Sequence, residues 1–234
     1  MRKIVSLLMI VGVFSSCQED VKFNNPGFQG NKDGALWQAG DVRAHVEGGK
    51  LVIEADKTFE TVTLSTGGTA LGTYVLGTTD TNNLAAYVST FNDVELEYAT
   101  VAVPGPASKI EMISGGTVYN NGTAVATTGG SGSGLTVNIV VNAGVVTNIA
   151  LSSRGNGYKA GDELTVVGGN GNCKFKITNV MNSNGEIEIT EYDNVKMTVS
   201  GKFKFNAAKV TDTEIGGEIL NFQYGEFYKV PIIP

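Results

Sequence analysis

From Asp33 onward, apolar residues recur at every second position in short runs separated by glycine-rich turns. Val42, Ala44 and Val46 alternate with polar neighbours, Gly48-Gly49 supplies a hairpin turn, and residues 50–55 alternate again. Residues 35–39, around Trp37, form a short apolar segment, and strand-like runs follow at 58–64, 72–77, 85–89 and 94–101, with a Gly67-Gly68 turn among them. Alternation puts one side of a strand on a core and the other in water, whereas a helix needs apolar positions three and four apart. Nothing in the helical period is long enough to compete. The pattern predicts an all-β chain, built as a β-sandwich or a barrel-like domain.

Between Pro104 and Asn184 the pattern changes, because residues 114–180 are a near-duplicate of themselves at a spacing of 39. Ser114 falls on Ser153, Gly116 on Gly155, Tyr119 on Tyr158, Gly122 on Gly161, Gly129-Gly130 on Gly168-Gly169, and Gly132 on Gly171. A fixed internal period marks a repeated structural unit. Each copy runs from a tyrosine through a glycine turn into a short strand (123–127, 163–167), then a second glycine turn and a longer strand (135–141, 173–180). Pro104-Gly105-Pro106 and Asn182-Ser183-Asn184-Gly185 are turn-forming and flank the unit. The expected organisation is a host β domain in two parts, 33–103 and 185–234, interrupted at a loop by a small duplicated β module over 104–184.

The N-terminus reads differently. Arg2 and Lys3 precede an apolar run over residues 4–14, too short for a bilayer span of about 20 residues. Phe14-Ser15-Ser16-Cys17 resembles the lipobox of bacterial lipoproteins, which implies cleavage after residue 16 and lipidation of Cys17. The alternative is a plain secretory signal with an incidental cysteine. Gln18, Glu19 and Asp20 resemble the acidic export signal that carries lipoproteins of Bacteroidota to the outer face of the outer membrane; the bland reading is a solvated tether. Residues 17–32, rich in Asn and Gly, are expected to form that tether.

Charge and cysteine content narrow the class. Loss of Arg2 and Lys3 with the signal leaves 15 basic against 23 acidic residues, a net charge of −8, which disfavours nucleic acid and anionic membrane surfaces as partners. With Cys17 lipidated, Cys173 is the sole thiol, so stability rests on strand pairing and core burial rather than a disulfide. Cys173 lies in an alternating run and reads as a small core residue.

Catalytic chemistry finds little footing. His45 is the one histidine, and it lies in a strand pattern with no nucleophile or carboxylate at a recognisable spacing. One histidine and one thiol do not make the usual zinc sites. Asp162-Glu163 and Tyr192-Asp193 lack the spaced acidic ladder of a calcium loop, and an Asp after Gly stabilises a turn. The run 129–134, Gly-Gly-Ser-Gly-Ser-Gly, leads into a strand and lacks the Lys-Ser/Thr ending of a phosphate loop. No catalytic residue, metal or cofactor is expected. Aromatic side chains could form a sugar-stacking platform, and Tyr119, Tyr158 and Trp37 are the candidates, the bland reading being core packing.

Several segments, in order, resemble a family of Bacteroidota lipoproteins carrying a domain of unknown function. They are Asp33-Gly34-x-x-Trp37, Gly49-Lys50-Leu51-Val52-Ile53 and Gly72-Thr73-Tyr74-x-Leu76-Gly77, then Gly185-Glu186-Ile187-Glu188-Ile189-Thr190-x-Tyr192-Asp193, residues 199–205 and residues 225–232. The segment Gly155-Asn156-Gly157-Tyr158-Lys159-Ala160-Gly161-Asp162 is similar to repeats of bacteriophage virion and bacterial surface proteins, although Thr123 stands for Asp162 in the first copy. The family resemblance implies a compartment and a fold class but no activity. Taken with the lipobox, the acidic tether, the all-β pattern and the insertion at a loop, the expectation is a non-enzymatic lipoprotein of the outer membrane, facing the cell exterior, that binds a glycan or a surface protein through a projecting module. A structural accessory subunit of an envelope complex is the alternative.

Overall fold

The computed structural model of the chain describes residues 27–91 and 93–234. Its described residues are all-β, without a helix, and form two antiparallel sheets that curl toward barrels. The first sheet takes β1 (Gly27–Lys32), β2 (Ala35–Gln38), β3 (Asp41–Glu47), β4 (Lys50–Lys57), β5 (Glu60–Thr66), β6 (Gly72–Leu76), β7 (Leu84–Phe91) and β8 (Val94–Ala99). After an interval it resumes with β15 (Asn184–Asp193), β16 (Thr198–Lys209) and β17 (Ile219–Pro231). Between them lie the six strands of the second sheet: β9 (Ala107–Gly115), β10 (Gly122–Gly129), β11 (Ser133–Asn142), β12 (Val145–Asn156), β13 (Glu163–Val166) and β14 (Cys173–Val180).

The larger sheet runs β2-β1-β17-β16-β8-β7-β5-β4-β3, and it forks at β16. That strand pairs with β15 from Thr198 to Asn206, and with β8 only at Ala208 and Lys209; β6 extends the branch beyond β15. A parallel bridge between Ala44 and Ile232 brings β3 round to the end of β17. Inward positions make one core, at whose centre the rings of Phe28, Trp37, Phe203, Phe205 and Phe222 lie with neighbouring centroids 4.7 to 6.1 Å apart. Each such buried ring contributes about 1.5–3 kcal/mol of transfer free energy.

Residues 27–32 correct the expectation of a tether reaching to residue 32. They form β1, paired with both β17 and β2, and Phe28 is buried. Gly30 meets a packing requirement: a Cβ there would lie 2.4 Å from the Phe222 ring. Small residues here let the strand lie on the aromatic cluster.

The second sheet runs β12-β11-β10-β13-β14-β9 and holds its own core, from Ala107 to Val180. Exchanging β9 with β12, β10 with β13 and β11 with β14 reverses the order and leaves the neighbours unchanged. The sheet therefore has approximate twofold symmetry. Its centre is the β10–β13 ladder, where Thr127 pairs with Val166, residues 39 apart. The repeat also extends nine residues upstream of Ser114, since Tyr119 N–H donates to Gly144 O as Tyr158 N–H donates to Gly105 O, with both partners again 39 apart. Ala107 and Val146, equivalent under the same shift, are both buried.

Two connections cross between the sheets. Where they meet, Met181 N–H donates to Pro106 O at 2.8 Å and the Asn182 amide donates to Pro104 O at 3.1 Å. The Asn184 amide donates to Val180 O and Met181 O, each at 2.8 Å.

Candidate functional site

Cys17, Gln18, Glu19 and Asp20 lie outside the described residues, as do the signal and the tether up to residue 26. The three aromatic candidates are placed, and none offers a face to a ligand. Trp37, Tyr119 and Tyr158 are 1%, 4% and 2% exposed. This corrects the stacking-platform expectation.

The two tyrosines explain the glycine pattern of the repeat. A Cβ on Gly116 would lie 2.6 Å from the Tyr119 ring, and one on Gly169, in the other copy, 2.5 Å from it. Tyr158 likewise lies over Gly155 of its own copy and Gly132 of the other, each at 2.7 Å from a hypothetical Cβ. Each ring thus lies on glycines from both copies and locks them together. The Tyr119 hydroxyl adds a donor to Val166 O and accepts from Cys173 N–H, both at 3.1 Å, joining β13 to β14.

Trp37 is part of a polar cluster that crosses the interior of the larger sheet. Lys32 Nζ donates to Glu60 Oε2 at 3.0 Å and to the Tyr87 hydroxyl at 2.6 Å, and Trp37 Nε1 donates to the same Glu60 oxygen. These residues sit on β1, β2, β5 and β7, so the cluster ties strands that are not sheet neighbours. Burial opposes the charge on Glu60, but the hydrogen bonds from Lys32 and Trp37 outweigh it and hold the carboxyl below its ordinary range. Burial also opposes the Lys32 charge, and its bonds to Tyr87 and Glu60 raise its pKa on balance. Burial pushes the Tyr87 hydroxyl up. A depression of about 270 Å³ beside the cluster is rimmed by Lys57, Phe59, Glu60, Tyr87 and Ser89, with Phe59 exposed.

Of the remaining titratable candidates, Asp162 has structural partners. Asp162 caps a turn between the copies: its Oδ2 accepts from Lys159 N–H, Ser131 N–H and the Ser131 hydroxyl at 2.7 to 3.0 Å. Against the effect of burial, those bonds keep its carboxyl below the usual carboxylate range. Cys173 is buried, which raises its thiol pKa and suppresses the thiolate. His45 sits half-buried in β3 opposite Val52. Among the described residues no group of three or more His, Cys, Asp or Glu side chains is arranged to hold a metal ion.

A second open site was not anticipated. On the outer face of β15, β16 and β17 a groove of about 310 Å³ is lined by Glu186, Glu188, Lys202, Lys204, Gln223 and Tyr224. Tyr224 is 88% exposed. It falls in a β-bulge, where the register of β16 against β17 shifts between Phe203–Gly225 and Phe205–Phe222. A bulge breaks the two-residue alternation, so the strand pattern alone does not say which way its side chain faces.

Two curled antiparallel sheets, each with its own core, define an all-β protein. The chain belongs to the family described as Domain of unknown function (DUF6252), which it matches over residues 24–150 and again over residues 107–231. The two matches overlap across the first copy of the repeat. No curated protein and no solved structure matches the chain.

Proposed function

We propose that the chain is a non-enzymatic lipoprotein displayed on the outer face of the outer membrane, where it acts by binding. The lipobox-like segment ending in Cys17 and the acidic residues Glu19 and Asp20 support the anchor and the export step. The observation that carries the display reading is the partition of the fold into two cores, with the twofold β module leaving and rejoining the host at adjacent points of the chain. A module so attached extends the surface offered to a glycan or a surface protein without reorganising the host sheet. Lipidation of Cys17 would hold the N-terminal side of the chain at the membrane, since buried acyl chains contribute about 0.8 kcal/mol per CH₂.

Protease accessibility on intact cells tests this reading, comparing wild type with Cys17→Ala and with a Glu19→Ala/Asp20→Ala double variant. Digestion of the wild type, lost in both variants, is the expected result. Protection in intact cells, with digestion only after the outer membrane is opened, would overturn display and leave an inward-facing accessory subunit of an envelope complex.

A further inference from the structure

The outer face of the larger sheet carries side chains in rows set by strand register. Across β6, β15, β16, β17 and β1, one row reads Thr73, Glu188, Lys202, Glu226 and Gln29. The next reads Val75, Glu186 and Lys204, and ends at the bulge, where Asn31 pairs with Gln223 beside Tyr224. Carboxylates, ammonium groups and amides therefore alternate over a nearly neutral surface, with Glu186 paired to Lys204 at 2.9 Å. Donors and acceptors are presented together, and no single charge dominates.

Tyr224 is the aromatic element of this face. Its backbone is held at φ 52°, which disfavours a side chain with a Cβ, and the bulge turns the ring to solvent. Beneath it the backbone is fixed: a Cβ on Gly225 would come within 2.5 Å of the Phe203 ring, and Phe203 belongs to the buried aromatic cluster. An exposed tyrosine costs little conformational entropy on binding, and its ring face is electron-rich and attracts polarised C–H bonds. The groove is at the small end of ligand sites.

We propose that this face, centred on Tyr224, binds a neutral glycan: a sugar ring lies on the Tyr224 ring, and its hydroxyls exchange hydrogen bonds with Glu188, Lys202, Lys204 and Gln223. The site rests on the binding reading above and gives it a ligand class, but it lies on the host sheet and not on the duplicated module. A ligand of uniform charge fits poorly, because the face carries both signs in near balance. A polyol fits, because it donates and accepts at each hydroxyl.

The test uses the full chain, purified in detergent, in sedimentation with four insoluble neutral polysaccharides: curdlan, mannan, xylan and starch granules. Expected is co-sedimentation with at least one, reduced at least fivefold by Tyr224→Ala and kept within twofold by Tyr224→Phe, which retains the ring. Lys202→Gln with Glu188→Gln should weaken binding severalfold without changing the melting temperature. No co-sedimentation with any of the four, or equal binding by wild type and Tyr224→Ala, overturns the proposal. Display at the cell surface is read separately by protease accessibility, so either reading fails without the other.

Discussion

Val118 stands where the second copy of the repeat has Gly157, and the backbone at both positions has positive φ, 62° and 81°. A β-branched residue is strained there, whereas glycine is not. Val118 is also 72% exposed, so little burial offsets the strain. Val118→Gly should therefore stabilise the module by about 1 kcal/mol, and Gly157→Val should destabilise it by about 1–2 kcal/mol. A Cβ at Gly157 would meet only ordinary contact, 3.5 Å from Gly132 Cα, so that cost is backbone strain alone. Urea denaturation of the two variants checks both signs, and equal effects of the same sign would remove the strain account. The Lys32–Glu60 pair makes a second prediction at this scale. Glu60 titrates lower in the fold, so its contribution is present above the carboxylate range of the unfolded chain and is lost as pH falls below about 4. Lys32 titrates higher, so its contribution is present below about pH 10 and is lost as pH rises through its folded value. Glu60→Gln should cost about 1–2 kcal/mol at pH 7, since both partners are about three-quarters buried, and should flatten the acid limb of the melting-temperature profile.

Strands and turns were unevenly legible, and the repeat shows why. Where one face meets a core and the other meets water, alternation is readable: residues 42–46 and 50–55 lie within β3 and β4. The β1 strand was hidden because its backbone packs on Phe222 and small residues occupy positions that alternation fills with apolar ones. Tyr119 and Tyr158 stand beside turns, where sequence cannot distinguish an exposed ring from one covered by glycines of the opposite copy. That covering is reciprocal and becomes visible only once β10 and β13 pair. Tyr224 was obscured by its bulge, and the groove around it is assembled from β15, β16 and β17. The two buried tyrosines also differ in a testable way. Tyr119→Phe deprives the buried Cys173 N–H of its acceptor and should cost about 1–3 kcal/mol. Tyr158 bonds through its backbone to Gly105, so Tyr158→Phe should stay within about 0.5 kcal/mol of wild type. Thermal melts of the pair decide; equal losses would mean that the hydroxyl bridge contributes nothing distinctive.

At the scale of the molecule, the connections between the sheets set how far each depends on the other. The chain leaves the host near Pro104 and returns near Asn182, within a hydrogen bond of itself. Closing that gap demands little of a short loop, whereas the two cores share few side chains: the Asn179 amide reaches Leu76 O at 3.4 Å, and Gly77 lies close against Ser183. Replacing residues 106–181 by a short Gly-Ser linker should leave the host folded, with a cooperative melt within a few degrees of the corresponding wild-type transition. Calorimetry on both chains reads this directly. A shortened chain without a cooperative transition would mean that the sheets form one folding unit and that the module is part of the host's architecture. A folded one becomes a tool for locating binding. Polysaccharide sedimentation that persists in it and falls on Tyr224→Ala belongs to the host face, while any interaction lost with the module belongs to the twofold sheet. Those two results are independent, because the groove at Tyr224 draws every lining residue from β15, β16 and β17 and none from the module.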